Sequence, residues 1–263
     1  MTLAEAFATA RAQNRAALIC YLPAGFPDPQ TSAALMDAMV DSGADVVEVG
    51  LPYSDPLMDG PVIQRAVDQA LAAGTTTETV LDIVQRVSGR GAQIAVMSYW
   101  NPIERYGVER FAKALARAGG VAVITPDLTP EEAGPWIIAT DEAGIERVFL
   151  VAPSSSDDRI SVVAGASSGF VYAASTMGVT GARATLGTAA SELVSRVRPR
   201  TDLPIAVGVG VSTPDQARAV ADFADGVIVG SALVRAALEA GDGAAAVAAV
   251  GALTASLAEG VRG

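Results

Sequence analysis

The sequence predicts a (β/α)8 TIM barrel that fills residues 1–263 as a single domain, with one extra helix ahead of the first strand. Apolar runs of four to six residues recur along the chain, each followed by a segment of helical periodicity. No linker-like or low-complexity segment interrupts this alternation. The 263 residues, 51% of them hydrophobic, also suit the roughly 250 that such a barrel needs. A doubly wound open sheet shares the alternation and stands as the alternative, because counting strands does not prove closure.

Residues 2–14 read as a short Ala-rich amphipathic helix. Residues 17–22, Ala-Leu-Ile-Cys-Tyr-Leu, are apolar at every position, as a parallel strand covered on both faces would be. Further strands are expected at 46–49, 94–98, 121–125, 147–151, 169–173, 204–207 and 226–229. Helices are expected at 29–42, 62–73 with 77–87, 103–118, 130–143, 157–165, 189–198, 213–221 and 232–240. Gly43, Gly119 and Gly144 sit where helices stop. Thr129-Pro130-Glu131 and Thr213-Pro214-Asp215 offer a capping hydroxyl, a proline and an acid where helices start. The glycine-dotted stretch 177–188 reads as a long loop that could serve as a mobile lid. Residues 244–258, mostly alanine, are too short and weakly apolar for a membrane span and read as a packed terminal helix.

A net charge of −11, from 29 acidic against 18 basic residues, argues against nucleic acid or an anionic membrane as partner. It leaves phosphorylated small molecules open, since backbone amides and helix N-termini bind phosphate. The lone cysteine, Cys20, lies in an apolar run, and no basic segment leads an apolar one at the N-terminus; both fit a cytoplasmic protein. Histidine is absent and Lys113 is the sole lysine, mid-helix on an expected solvated face. Ser-His and Cys-His nucleophiles, His-ligated metals and a plausible Schiff base are thereby removed. Carboxylates, tyrosines and backbone groups remain.

Two carboxylates stand out in residues 45–61. Glu48 lies near the C-terminal end of the second strand, where barrel active sites are built. If Val47 and Val49 face the helices, Val46 and Glu48 face the barrel interior. A poorly solvated carboxyl there exchanges protons near neutral pH; a buried Glu–Arg pair is the competing reading. Asp59, on the loop after that strand, would ordinarily be a turn residue and helix N-cap before Gly60-Pro61. Its place on the same loop as Glu48 suggests a division of labour, one acid moving protons and the other holding positive charge. Glycines then recur after strands six, seven and eight, at 175–181, Gly208-Val-Gly210 and Gly230-Ser231, as in barrels that cradle phosphate on backbone N–H groups. Tyr172, on strand six, is a core aromatic or a ligand contact; Tyr99 and Trp100 could line an apolar pocket or pack the rim.

With these residues in hand, the chain resembles the tryptophan synthase α subunit over essentially its whole length. The resemblance rests on Tyr-Leu-Pro-Ala-Gly-Phe-Pro-Asp at 21–28, Glu-Val-Gly-Leu-Pro-Tyr-Ser-Asp-Pro-Leu-Met-Asp-Gly-Pro at 48–61 and Tyr-Trp-Asn-Pro-Ile at 99–103. It continues through Pro-Asp-Leu-Thr-Pro-Glu-Glu at 126–132, Gly-Val-Thr-Gly at 178–181, Gly-Val-Gly at 208–210 and Gly-Ser at 230–231. It implies aldol-type cleavage of indole-3-glycerol phosphate to indole and glyceraldehyde 3-phosphate, in tryptophan biosynthesis. By the same resemblance Glu48 is the general acid–base, and Asp59 contacts the indole N–H. Tyr172 lies beside the substrate, and Gly181, Gly210, Gly230 and Ser231 form the phosphate pocket. No cofactor is implied in this chain. Pyridoxal phosphate belongs to a β subunit that receives the indole in an α-β-β-α heterotetramer, contacted partly around Pro52 and Asp55. Thr176 departs from an arginine carried by many members, and Pro23 from a commoner threonine. Alternatives are another phosphate-binding barrel synthase, which would need a diphosphate and usually Mg²⁺, and a subunit that regulates a β partner without turnover of its own.

Overall fold

A computed structural model of the chain describes residues 2–174 and 183–263, the side chains of 183–187 excepted. In order it contains α1 (Leu3–Ala12), β1 (Ala17–Pro23), α2 (Pro29–Asp41), β2 (Val46–Gly50), α3 (Pro61–Ala72), α4 (Thr77–Val87) and β3 (Gln93–Met97). Next come α5 (Trp100–Tyr106), α6 (Val108–Ala118), β4 (Ala122–Ile124), α7 (Gly134–Ala143), β5 (Glu146–Val148), β6 (Leu150–Val151) and α8 (Asp157–Ala166). The chain ends with β7 (Val171–Ala174), α9 (Arg183–Val197), β8 (Ile205–Gly208), α10 (Pro214–Ala221), β9 (Gly226–Val229), α11 (Ser231–Glu239) and α12 (Gly243–Gly260).

All strand pairings are parallel, in the order β5-β4-β3-β2-β1-β9-β8-β7-β6. The two ends of that order, β5 and β6, are halves of the expected fifth strand. The first half pairs with β4 and the second with β7. Between them the Phe149 N–H turns to the Ser167 hydroxyl, at 3.4 Å, while the Phe149 carbonyl accepts from Tyr172 N at 3.2 Å. One stretch of chain thus joins both ends of the sheet, giving the barrel and not the open sheet.

Period two then sorts the strand side chains. Leu18, Cys20, Leu22, Val47 and Val49 pack outward against the helices. Ile19, Val46, Ala95, Ile124, Val148, Phe170 and Ile228 pack inward. The expected inward phase of β2 is therefore the observed one. Small residues at Ala17, Ala95, Ala122 and Ala206 leave room for Phe170 and for α1, which closes the lower end of the barrel with Leu3 and Phe7. The Phe7 and Phe170 rings lie 5.6 Å apart, and burying Phe7 contributes roughly 2–3 kcal/mol. Thr2 and Glu5 form a capping box that starts α1, and Leu3 N donates to the Glu146 carboxylate at 2.8 Å.

Several expected boundaries move. The single helix expected at 103–118 is two, because Gly107 takes φ +100° between α5 and α6. The stretch from Thr129 makes a turn, with Glu132 N bonded to Thr129 O, and α7 begins only at Gly134. α9 starts at Arg183, not 189: the Ala-Thr-Leu content of 183–188 sustains a helix despite Gly187. The lid expected at 177–188 is thus helical from 183, and its earlier part lies outside the described residues. α12, at 18 residues, is long and apolar enough by composition to cross a membrane. Here it buries Val250, Leu257 and Ala258 and packs against α2, α10 and α11.

Candidate active site

The C-terminal ends of the strands surround a cavity of about 580 Å³. The register sets Tyr21 of β1 and Ala95 of β3 on either side of Glu48. Glu48 is 1% exposed, and its Oε2 has no hydrogen-bond partner. Burial pushes its carboxyl up to about 8, so it is largely protonated at neutral pH. The buried Glu–Arg pair is not found: among the described residues the buried arginines Arg15 and Arg147 are taken by Asp45 and Asp141.

Asp59 reaches the same cavity from the β2–α3 loop. It caps no helix, for the N-cap of α3 is Gly60, without a side-chain bond. Its Oδ1 instead accepts from the Tyr99 hydroxyl at 3.0 Å, and that hydroxyl accepts from Met58 N at 3.0 Å. Partial burial raises the Asp59 carboxyl, and the Tyr99 bond pulls it back down. Burial pushes the Tyr99 phenol up to about 12, which keeps it a donor. Tyr53 packs on Tyr99 with centroids 5.5 Å apart. Tyr99 thus moves from the uncommitted residues to the site, while Trp100 packs on Trp136 in the core.

Between and beyond the acids, Met97, Leu150 and Ile228 provide apolar walls. Tyr172 lines the cavity as expected, and burial holds its phenol well above the usual range. A β-carbon on Gly208 would lie 2.6 Å from the Tyr172 hydroxyl, so that glycine is there to admit the ring. Gly208→Ala is expected to cost about 1–3 kcal/mol by overpacking. Adding Tyr172→Phe, which removes the closest atom, should recover part of it in a denaturant-unfolding comparison. Additivity of the two losses would sink this contact as the cause.

Gly208, Gly210, Gly230 and Ser231, at and after the ends of β8 and β9, line the same cavity, along with Arg235. Gly210 takes φ +72°, a conformation that favours glycine. Gly181 and Thr176 lie outside the described residues. Pro52, expected at an interface, is itself buried, whereas Asp55 is exposed and accepts from Ser54 Oγ at 2.6 Å. On the same loop Leu57 and Met58 are 76% and 51% exposed. A second cavity, of about 400 Å³, lies at the opposite end of the barrel, where Arg11 and Arg15 are tied to Asp225 and Asp45.

Sequence reasoning missed Tyr21, Met97, Leu150, Ile228 and Arg235 as cavity residues. The signal for Tyr21 was present: it continues the inward phase of Ala17 and Ile19 by two residues. Burial, then Asp59 and Glu48, hold its phenol well above the usual range, and Gly50 makes room for the ring.

Comparison with known proteins gives a uniform result. The family model described as tryptophan synthase alpha chain matches residues 7–261. The chain is 57% identical over 260 residues to a tryptophan synthase alpha chain of Nocardia farcinica, covering 99% of this chain and 96% of the other. It is 55% identical over 258 residues to one of Acidothermus cellulolyticus, covering 98% and 96%. Among solved structures, one of Mycobacterium tuberculosis tryptophan synthase superposes with a TM-score of 0.92 at 53% identity, over 99% of this chain and 98% of that one. The tryptophan synthase subunit alpha from Legionella pneumophila gives 0.90 at 33% identity, over 99% and 98%.

Proposed function

The chain belongs to the tryptophan synthase alpha chain family, and from that premise we propose how its residues perform the reaction and with whom. It is a carbon–carbon lyase of tryptophan biosynthesis that cleaves indole-3-glycerol phosphate. Glu48 is the general acid–base and Asp59 the electrostatic partner of the indole nitrogen.

Neutral Glu48 gives its proton to indole C3, which converts the ring to an iminium. Asp59, ionised and steadied by Tyr99, accepts the N–H and stabilises the positive charge. The glyceryl hydroxyl next gives its proton to the Glu48 carboxylate as the carbon–carbon bond breaks. The bonding electrons return to the ring, releasing indole and glyceraldehyde 3-phosphate. Glu48 ends protonated, ready for another cycle. The electron sink is the substrate's own indole, so this chain's share of the chemistry asks for no cofactor. Met97, Leu150 and Ile228 take the indole, and Gly210, Gly230 and Ser231, with Gly181, take the phosphate.

The observation that carries this reading is the meeting, in one cavity, of an unpaired carboxyl raised to about 8 with a second carboxylate held by a phenol. Indole release from indole-3-glycerol phosphate tests it. Because the free enzyme starts with neutral Glu48, kcat/KM should fall above pH ~8, approaching tenfold per unit. A kcat/KM that rises through that range would overturn the starting protonation state.

Family membership implies a β-subunit partner. We place the contact on the exposed part of the 51–60 loop, around Asp55, with Pro52 supporting it from beneath. The assembly is an α-β-β-α heterotetramer in the cytoplasm. Pyridoxal phosphate belongs to the β subunit, which takes up the released indole.

A further inference from the structure

A phosphate monoester carries about −1.5 to −2 charge at neutral pH, and the chain carries −11. Backbone N–H groups offer dipoles to such a ligand but no net charge. Among the described residues lining the active-site cavity, Arg235 is the one cationic side chain. It is exposed and makes no ion pair with any described residue, whereas Arg147, Arg196 and Arg198 are each tied to an aspartate. Arg235 follows Ser231 by four residues on α11, so the two share a helix face. Helical side chains lean toward the N-terminus, which carries the guanidinium back over the Gly230–Ser231 turn. That turn has no side-chain cap, leaving its N–H groups free for a ligand.

We infer that Arg235 is the charge-bearing phosphate ligand of this site and sets its preference for phosphorylated over unphosphorylated indolylglycerol. The inference rests on the function proposed above. The planar guanidinium fork matches two phosphate oxygens, and the helix N-terminus meets the ligand beside it. Arg235 and the glycines belong to β8, β9 and α11, whereas the acids belong to β2 and the loop after it, so its contribution is to binding in ground and transition states alike. It belongs in KM, not kcat.

The test is steady-state indole release from indole-3-glycerol phosphate by the chain with its β subunit, for wild type, Arg235→Met and Arg235→Lys. Unphosphorylated indole-3-glycerol is measured alongside as a competitive inhibitor. Arg235→Met is expected to raise KM about 10- to 100-fold, the scale of one lost charge-assisted bond. Its kcat should stay within about threefold of wild type, and Arg235→Lys should recover most of the loss. Inhibition by indole-3-glycerol should be equal in all three. KM should rise with added KCl in the wild type and respond far less in Arg235→Met, because the screened charge is gone. An unchanged KM in Arg235→Met, or an equal loss of affinity for indole-3-glycerol, would overturn the inference. A wild-type complex that releases no indole would overturn the proposed function itself, a result distinct from either.

Discussion

Glu48→Gln is expected to lose at least ~10²-fold in turnover, the lower end for a positioned acid–base group. The amide keeps the shape of the neutral acid but can neither give C3 its proton nor take one from the glyceryl hydroxyl. Whatever activity remains should lose the fall in kcat/KM above pH ~8, because the titrating group has been removed. Stability should move the other way. The folded carboxyl sits at about 8 against an ordinary 4.5, so folding favours its neutral form. The wild type therefore loses stability as pH rises above 4.5, and the loss levels off above about 8. The glutamine variant escapes it, gaining on the order of 4 kcal/mol at pH 8 and almost nothing near pH 4.5. Urea titrations at both pH values read this directly. Equal stability of the two proteins at pH 8 would mean that Glu48 is not held neutral by the fold.

Asp59→Asn should be nearly as damaging to turnover, on the order of 10²–10³-fold, the cost of removing one preorganised group aimed at developing charge. An amide can still meet the Tyr99 hydroxyl, but it cannot neutralise a positive ring nitrogen. Phosphate-bearing ligands should bind much as before, since the glycines and Ser231 belong to the ends of β8 and β9 and not to the loop that carries Asp59. Stability should shift by less than about 1 kcal/mol, because Asp59 starts no helix and, among the described residues, its side chain bonds to Tyr99 alone. A chemical-denaturation curve separates the possibilities. A variant that unfolds outright would return Asp59 to the role of a turn residue.

The barrel was legible because each strand is short, apolar and followed by a capped helix, a pattern written locally. Glu48 was legible for the same reason: the inward phase of β2 follows from Val47 and Val49 turning outward. What was not legible depends on groups far apart in the chain. The break at Phe149 requires Ser167 to compete for its N–H. Tyr99 finds Asp59 across 40 residues of sequence, and nothing around either residue announces the bond. Gly208 looked like a phosphate-loop glycine, yet its close neighbour is the Tyr172 ring on the adjoining strand. Pro52 looked like surface because the loop is polar, and only the folded loop shows that it lies beneath Tyr53 and Ser54 in exposure. Arg235 sat in an ordinary amphipathic helix; its significance comes from what the neighbouring strand ends leave uncharged.

The N-terminal helix has a bearing on chemistry it never touches. Leu3 and Phe7 stop the lower end of the barrel, and Ile19 and Val46 above them are fully buried. Among the described residues, this packing leaves the mouth as the approach for water to Glu48. A substrate that fills the mouth removes that last hydration, so the proton is traded in an insulated chamber whose floor was laid by the first dozen residues of the chain.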